Sequence, residues 1–351
     1  MSDKKKQKPV SLDDIAKAVG VSMMTVSLAL RDHGKISKAT KEKVQAMAKE
    51  MGYVKDPEIS RLMAYIRNRK DLKLQSILGF LHNEPTEFRK NSGSYLMKLY
   101  EGAKAEAENL GYILEPLWLQ QPGMNPKRMQ QIIDARNIKG VLLAPSPSDK
   151  VEKLKSLDYS KLSGVNISYS IVEPRFSRVA VNHYQAMNLA MDTLWAKGFR
   201  RIGLALEEKA SKRVRDLWVA GFSAWQYSKF KEIKTPPLII TDEWEKPLLK
   251  WQKDHKVEVV LTQNAIVQNI LESAKLRVPE DVSVAFLNAN FQKGKQSHAG
   301  IVQDVYREGQ IAIQYLVSLI LSREQGIPEN NVTMMTKGKW QEGSTVGKPK
   351  A

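Results

Sequence analysis

Residues 10–51 read VSLDDIAKAVGVSMMTVSLALRDHGKISKATKEKVQAMAKEM, and this stretch decides how the first part of the chain folds. The motif SLDD has the spacing of a capping box, so a first helix is predicted to begin at Leu12. Gly20 favours a tight turn at the end of that helix, and Ser22 is a typical N-cap for the next one. The apolar spacing then predicts a third helix over 38–51.

The apolar residues of the first two predicted helices recur on one face of each, so these helices can pack against each other. This packing leaves Met23, Met24, Ser27 and Leu28 facing outward on the second helix. Two helices joined by a tight turn and braced by a third form a helix-turn-helix, a unit that reads the major groove of DNA. A small three-helix module that binds protein, or packs on the rest of the chain, is the alternative interpretation.

The residue order in DDIAKAVGVSMMTVSLAL and ATKEKVQAMAKEMGYV resembles the N-terminal domain of the LacI/GalR family of repressors. The resemblance implies a transcriptional repressor that binds a palindromic operator in double-stranded DNA as a homodimer and responds to a small-molecule effector. It also implies that residues in and next to the second helix contact DNA. By position these residues are Ser22, Met23, Met24, Thr25, Ser27, Leu28 and Arg31.

The chemistry of the second helix differs from that of many relatives. Ser22 and Thr25 suit the phosphate contacts made at these places in the family, because short hydroxyls bind phosphate oxygens. Met23 and Met24 take the positions that contact bases, but a thioether has no strong donor, so apolar contact with a thymine methyl is expected. Leu28 replaces an arginine of many relatives, which removes a common contact to guanine. Alternatively, the two methionines are simply exposed hydrophobic residues.

The sequence after the helix-turn-helix predicts one more helix. Asp56 and Pro57 are an N-cap followed by a first-turn proline. The resemblance makes this segment a hinge helix, and the paired hinge helices of relatives enter the minor groove and insert a leucine between bases. Ile59 and Leu62 are the corresponding DNA contacts, with Leu62 as the inserted residue. A plain amphipathic linker helix is the alternative.

Positive charge is concentrated near the N-terminus. Residues 1–75 hold 17 Lys and Arg against 9 Asp and Glu, so this fifth of the chain carries about half of the net charge of +17. A polyanion bound there would release counterions, so DNA binding should weaken steeply with salt. The sequence has no cysteine, no run of the ~20 apolar residues that cross a membrane, and no apolar segment of the secretory type at its start. We therefore expect a cytoplasmic protein.

From residue 75 the pattern changes to short apolar strands that alternate with amphipathic helices, which predicts parallel sheets with crossover helices. The strands are too many for one sheet, so two lobes follow, and the resemblance implies a periplasmic-binding-protein-like clamp. The predicted fold class is an all-α helix-turn-helix domain joined to an α/β core of two parallel-sheet lobes. The predicted segments are a basic arm (1–9), the helix-turn-helix domain (10–55), a hinge helix and linker (56–74), and an effector-binding and dimerisation core (75–351), with an N-lobe at about 75–181 and 299–325 and a C-lobe at about 182–298 and 326–346.

The ligand-binding positions of the family carry over only in part. Relatives typically have an aspartate, an arginine, an asparagine and a second aspartate there. At these positions the chain has Asn182, Trp218, Asn264 and Asn288, and only Asn264 matches the family pattern. Arg215 lies one helical turn before Trp218. A tryptophan can stack on a sugar ring and amides can bind hydroxyls, so a carbohydrate effector is one interpretation. A different ligand, or none, is the other, with Trp218 as core packing and Arg215 in a surface ion pair.

The sequence gives no support for catalysis or for a cofactor. Its five histidines have no metal-ligand spacing, and the nucleophile-elbow, phosphate-loop and dinucleotide motifs are absent. We expect no enzyme activity, no metal and no cofactor. A solute-binding or sugar-modifying protein with a basic N-terminus is the alternative to a DNA-binding regulator, and selective retention of DNA fragments discriminates between the two.

Overall fold

The computed structural model describes residues 10, 12–30, 34, 36–53, 76–84, 94–146, 152–232, 234–289 and 297–349. The chain divides into two compact units, Met1–Lys73 and Leu74–Ala351. No helix in the described ranges is long and apolar enough to cross a membrane.

The smaller unit contains the helices α1 (Leu12–Val19), α2 (Met23–Ala29) and α3 (Lys38–Glu50). The turn predicted after α1 is confirmed, since Gly20 adopts a φ of 75°, a conformation that favours glycine. The predicted cap of α2 is also confirmed: the Ser22 side chain accepts a hydrogen bond from the Thr25 backbone nitrogen at 3.1 Å. Ser11, which belongs to the predicted capping box, lies outside the described residues.

The core of the smaller unit is made of aliphatic side chains from all three helices. Val26 and Ala29 of α2 are fully buried, together with Ile15 of α1 and Val44 of α3. Burying each valine or isoleucine stabilises the fold by roughly 1.5–3 kcal/mol. Packing of Val26 and Ala29 fixes how α2 is rotated about its axis, and therefore which of its residues face solvent.

The N-lobe of the larger unit is built on a parallel sheet. Its strands are β1 (Ile77–His82), β2 (Ile113–Trp118), β3 (Gly140–Leu143), β4 (Ser163–Ile167), β5 (Arg178–Val181) and β11 (Thr333–Thr336). In the described residues the strand order is β11-β5-β4-β3-β1-β2, and every pair is parallel. The sheet is covered by α4 (Tyr95–Asn109), α5 (Pro126–Ala135), α6 (Glu152–Lys155) and α12 (Val305–Ser322).

The C-lobe repeats this arrangement with one antiparallel edge. Its strands are β6 (Ile202–Glu207), β7 (Leu238–Ile240), β8 (Val259–Thr262), β9 (Ser283–Phe286), β10 (Gly300–Val302) and β12 (Lys339–Gln341). Among the described strands the order is β12-β10-β9-β8-β6-β7, with β12 antiparallel to β10. The C-lobe helices are α7 (His183–Ala196), α8 (Glu208–Arg213), α9 (Leu217–Phe230), α10 (Glu245–Asp254) and α11 (Ile266–Ser273). The predicted fold class is confirmed.

Helices α4 and α12 cross so closely that their contact has no room for side chains. A Cβ atom added to Gly102 would lie 2.0 Å from the Tyr306 carbonyl oxygen, and one added to Gly309 would lie 2.3 Å from the Leu99 carbonyl oxygen. Glycine at both positions lets the two backbones meet. This crossing brings the first turns of the two helices together at one end of the N-lobe.

The chain passes between the lobes three times in the described residues. The first crossing is at Asn182, between β5 and α7. The second spans Gln303 and Asp304, between β10 and α12. The third spans Lys337 and Gly338, between β11 and β12.

Two predicted lobe boundaries are wrong. The N-lobe segment predicted to begin at 299 begins only after β10, because β10 pairs with β9 and β12 of the C-lobe sheet. Gly300 permits this pairing, since a Cβ atom there would lie 2.0 Å from the Phe286 carbonyl oxygen. The C-lobe segment predicted to begin at 326 begins near β12, because β11 pairs with β5 and places Met334 opposite Val179.

Candidate DNA-binding surface and ligand cleft

The outward face of α2 is the candidate DNA-binding surface. The Ser22 hydroxyl oxygen caps the helix and also lies 2.9 Å from the Thr25 hydroxyl oxygen. In the turn that this cap fixes, Met23 and Met24 are 51% and 74% exposed. Ser27 and Leu28 follow on the same helix and are half-buried. The capped first turn therefore presents hydroxyls and thioethers side by side.

Exposed methionines at adjacent positions are unusual, because large apolar side chains are normally buried. Beside two hydroxyls they can combine phosphate contacts with apolar contacts to bases. Arg31, Ile59 and Leu62 are three further predicted DNA contacts, and all three lie outside the described residues.

The candidate ligand site lies where the chain crosses between the lobes of the larger unit. Parallel sheets bind ligands at the carboxyl ends of their strands. Tyr169 follows β4 and Asn182 follows β5 in the N-lobe, whereas Asn264 follows β8 and Asn288 follows β9 in the C-lobe. Side chains of both lobes are thus placed at the ends of their sheets that bind ligands.

Three aromatic rings form a chain that joins the lobes. The Tyr169 ring of the N-lobe lies 5.8 Å from the His183 ring, which begins α7 of the C-lobe. The His183 ring in turn lies 5.0 Å from the Trp218 ring, at an angle of 69°. All three side chains are buried. Their faces and edges form an apolar wall at the first crossing.

Four buried polar atoms around this wall have no hydrogen-bond partner within the described part of the chain. They are Tyr169 Oη, His183 Nδ1, Trp218 Nε1 and Glu308 Oε1. A buried polar group without a partner costs roughly 1–3 kcal/mol, so such atoms are normally bonded to water or to a ligand. A few convergent polar atoms on an apolar wall are typical of a small-molecule site.

Glu308 is held in the first turn of α12 by Tyr95, the first residue of α4. The Tyr95 hydroxyl donates a hydrogen bond to Glu308 Oε2 at 3.0 Å. Burial raises the pKa of Glu308 to about 8, although the hydrogen bond from Tyr95 opposes this shift. The carboxyl group is therefore protonated at neutral pH and can donate a hydrogen bond. A negative charge on Glu308 would raise the pKa of Tyr169, so Glu308 belongs to the same group of side chains as the aromatic chain.

Arginines lie on both sides of the aromatic chain. The Arg178 guanidinium of β5 lies 5.8 Å from the centre of the Tyr169 ring. Burial lowers the pKa of Arg178, and the charge of Arg215 lowers it further. Burial also lowers the pKa of His183 to about 4, with a smaller contribution from the charge of Arg213. His183 is therefore neutral at physiological pH.

Two of the three predicted ligand-binding asparagines, Asn182 and Asn264, have structural roles in the described residues. Asn182 Oδ1 accepts a hydrogen bond from the Gln185 backbone nitrogen at 2.9 Å and caps α7. Asn264 Oδ1 accepts one from the Ile266 backbone nitrogen at 3.0 Å, at the start of α11. Asn288 is half-buried after β9. A contact from any of the three to an effector stays a prediction.

Trp218 and Arg215 lie close together in the sequence but differ in their surroundings. Trp218 is 4% exposed and packs with Phe222 in the C-lobe core, while its Nε1 atom lacks a partner among the described residues. Arg215 is exposed, and in the described part of the chain it forms no ion pair. The carboxylate of its neighbour Asp216 binds Lys212 instead, at 2.8 Å.

Some residues of the cleft are not among the predicted ligand contacts: Tyr95, Tyr169, Arg178, His183, Arg213 and Glu308. Tyr169 and His183 each lie two residues after a strand, β4 and β5 respectively, which is where a parallel sheet binds ligands. Glu308 is an acidic residue on the apolar face of α12, a placement that needs a specific partner. For Tyr95 and Arg178 the sequence offers no comparable signal.

The described residues thus combine a capped helix-turn-helix with a two-lobed clamp that has buried polar atoms at its lobe junction. Residues 11–56 match the family described as bacterial regulatory proteins, lacI family. Residues 191–346 match the periplasmic binding protein-like domain. The chain therefore carries a DNA-binding domain of the lacI type and a periplasmic-binding-protein-like domain. The described residues contain no cluster of His, Asp and Glu that could hold a metal ion.

Two similar proteins come from Escherichia coli strain K12. The maltose regulon regulatory protein MalI is 24% identical over 217 residues, which are 62% of this chain and 59% of MalI. The HTH-type transcriptional repressor CytR is 26% identical over 206 residues, which are 58% of this chain and 55% of CytR. The match thus spans less than two thirds of the length of these relatives.

Solved structures share the fold at low sequence identity. A complex of the transcriptional regulator CelR with cellobiose has a TM-score of 0.59 at 17% identity, and the match covers 96% of this chain and 99% of CelR. A lac repressor dimer bound to operator and the anti-inducer ONPF has a TM-score of 0.56 at 17% identity, with the same two coverages. At such identities the likeness shows the fold alone.

Proposed function

We propose that this protein is a sequence-specific transcriptional repressor whose DNA affinity is controlled by a small molecule in the cleft. The observation that carries the proposal is the set of four buried polar atoms without partners at the lobe junction, in a chain that also has a helix-turn-helix. The relatives MalI and CytR are named as a regulatory protein and a transcriptional repressor, which supports this role.

On DNA, the first turn of α2 enters the major groove. The hydroxyls of Ser22 and Thr25 bind phosphate, and Met23 and Met24 make apolar contacts with bases, since their side chains are exposed. Ser27, Leu28 and Arg31 complete the contacts of the helix and its end. Without strong donors at the base-reading positions, we expect a site rich in thymine methyl groups.

We further propose that two copies bind a palindromic operator. The lac repressor structure is a dimer on its operator, which supports this arrangement. We propose Leu62 as the residue that enters a base step in the minor groove, and Ile59 as a second DNA contact. Such a regulator acts on the chromosome, so we place it in the cytoplasm.

A ligand at the lobe junction can control this DNA binding because it touches both lobes. It stabilises the lobe arrangement that it fits best and so shifts the population between two states of the protein. The coupling is reciprocal, so operator DNA must change ligand affinity by the same factor. The cellobiose complex of CelR supports a ligand of the carbohydrate type.

Footprinting on genomic fragments, followed by gel-shift titrations over a series of salt concentrations, tests the proposal. We expect discrete protected sites with two-fold symmetry and an affinity that falls steeply with salt. The double variant Met23→Ala/Met24→Ala should broaden the selected sequences, and the matched control Gln45→Ala, on the exposed side of α3, should not.

The alternative, a solute-binding or sugar-modifying protein, makes the opposite prediction. If no fragment is retained selectively at any salt concentration, the regulator proposal fails. Leu62→Ala adds a separate test of the hinge, because it should weaken specific binding more than nonspecific binding. Equal losses of both would show that Leu62 is not inserted into the base step.

A further inference from the structure

Positive charge exceeds negative charge at the lobe junction. Arg178 lies on β5 of the N-lobe, whereas Arg213 ends α8 and Arg215 follows it in the C-lobe. The positive charge of Arg215 in the C-lobe acts to lower the pKa values of both Arg178 and Tyr169 in the N-lobe. Arg213 acts in the same way on His183. The Arg178 guanidinium thus lies against the Tyr169 ring, and the charges of Arg213 and Arg215 act on the same group of side chains.

No acidic side chain in the described residues compensates this charge with an ion pair. Asp216, next to Arg215, is bound to Lys212 and accepts a further hydrogen bond from the Ser211 hydroxyl at 2.7 Å. Glu308, which acts on Tyr169 of the aromatic chain, is neutral at physiological pH. Arg178, Arg213 and Arg215 thus have no ion-pair partner among the described residues.

The three arginines differ in what they already bind. The Arg178 guanidinium donates to the Ser168 carbonyl at 2.8 Å and to the Ile171 carbonyl at 3.4 Å, so it is fixed in place. Arg213 and Arg215 are exposed, and their side chains form no hydrogen bond within the described part of the chain. Guanidinium groups bind carboxylates and phosphates through paired hydrogen bonds. These two arginines are therefore available for an anionic ligand.

The backbone at Arg215 is strained. Arg215 and Asp216 both have a φ of 55°, a left-handed conformation that is uncommon for residues other than glycine. The bonds from Ser211 and Lys212 to Asp216 hold this turn. Strained backbone that the surrounding structure stabilises is concentrated at ligand sites. The turn sets where Arg215 stands, three residues before the buried Trp218.

We propose that the effector is an anionic sugar, with a carboxylate or phosphate group on a hydroxylated ring. The inference rests on the proposed function, because it assigns a ligand class to the effector cleft. Arg213 and Arg215 bind the anion, and Arg178 adds positive charge. The unsatisfied atoms of Tyr169 and Trp218, with those of His183 and Glu308, bind ring hydroxyls.

Isothermal titration of the full-length chain with matched sugars tests the inference. The probes are the uronates and 6-phosphates of glucose, galactose and mannose, each compared with its neutral parent sugar at constant ionic strength. We expect at least one anionic sugar to bind about tenfold or more tightly than its parent, a difference that one added ion pair can supply. The uronate and phosphate series separate the two kinds of anion.

Variants of one position identify the group that binds the anion. Arg215→Gln should reduce the affinity for the anionic sugar by about tenfold or more, and Arg215→Lys should reduce it less because the charge remains. Lys209→Gln removes the same charge from an exposed position on α8 and should leave the affinity unchanged. Equal affinities of Arg215→Gln and the unmodified chain would overturn the assignment.

Other outcomes separate this inference from the proposed function. Binding of the neutral parents alone, or of none of the anionic sugars, overturns the anionic ligand. If the protein still retains specific DNA fragments and a neutral sugar releases them, the regulator function stands without the anionic ligand. If it retains no DNA selectively, the proposed function itself fails.

Discussion

The candidate DNA-binding surface and the candidate ligand cleft are assembled over very different distances along the chain. Ser22 and Thr25, which form the capped start of α2, are three residues apart. Tyr95 and Glu308, which form the hydrogen-bonded pair in the cleft, are 213 residues apart. The first surface follows from local rules of capping and helical spacing. The second exists only after both lobes have folded and α12 has returned to the N-lobe.

The largest expected effect concerns the independence of the two units. Val26→Asp places a charge in the fully buried core of the smaller unit. A buried charge without a partner costs several kcal/mol, on the order of the stability of a small domain, so this unit should unfold. DNA binding should be lost while ligand binding and the thermal transition of the larger unit remain. Calorimetry together with gel shifts checks this.

Met24→Asp is the matched control for Val26→Asp, because it introduces the same charge at an exposed position of α2. It should leave both units folded and weaken DNA binding alone. If Val26→Asp also lowered the transition temperature of the larger unit substantially, the two units would not be independent.

The next effect is a pH dependence that belongs to the cleft. Glu308 keeps its proton up to about pH 8 in the folded protein, whereas in the unfolded chain it loses it near the ordinary value of 4.5. Between these values the folded state binds more protons, so this group makes stability fall as pH rises from about 4.5 to 8. Glu308→Gln removes this pH-dependent loss. Relative to the unmodified chain, its free energy of unfolding should therefore increase by up to roughly 1.4 kcal/mol for each pH unit in this window.

Urea unfolding at several pH values across this window measures the difference for Glu308→Gln. Glu329→Gln removes a carboxylate from an exposed position and should run parallel to the unmodified chain. His183 makes stability increase with pH, because its pKa is lowered in the folded protein. All three proteins contain His183, so its contribution cancels when their stabilities are compared. A constant difference between Glu308→Gln and the unmodified chain at all pH values would show that Glu308 is ionised when folded.

The contrast between the two regions also explains what the sequence can predict. The cap at Ser22 and the turn at Gly20 are local, so residue types alone locate α2. Strands β10 and β11 are short and apolar enough to fit either sheet, so their lobes depend on pairing that only the folded chain decides. Glu308 reaches the cleft through the crossing of α4 and α12, and no spacing in the sequence connects it with Tyr95.

A third, smaller effect separates packing from ligand binding at Trp218. Trp218→Phe keeps most of the packing and removes the Nε1 donor, which has no partner in the described residues. Stability should fall by roughly 1–2 kcal/mol, because the smaller phenyl ring leaves a small cavity in the core. Affinity for the best sugar should fall about tenfold, since a donor that the ligand satisfies is lost. Unfolding and titration experiments on one preparation measure both.

Trp251→Phe is the control for this swap. Trp251 is also buried in the C-lobe, but its Nε1 atom donates to the Pro236 carbonyl at 2.9 Å. Its replacement should lower stability, because the carbonyl loses its donor, and leave ligand affinity unchanged. If Trp218→Phe, like Trp251→Phe, lowered stability and left ligand affinity unchanged, Trp218 would be only a core residue.

The smallest effect distinguishes the cap of α2 from its contact with DNA. Ser22→Ala removes the cap and should cost the smaller unit about 1 kcal/mol. Ser22→Asp restores a cap of similar strength and suits the positive end of the helix, but its charge repels phosphate. Stability should therefore recover while DNA affinity stays low, as measured by urea unfolding and gel shifts.

Ser94 caps α4 with the same geometry, through a bond from the Met97 backbone nitrogen at 3.2 Å. Ser94→Asp should leave DNA affinity unchanged, and recovery of DNA affinity in Ser22→Asp would show that Ser22 only caps the helix.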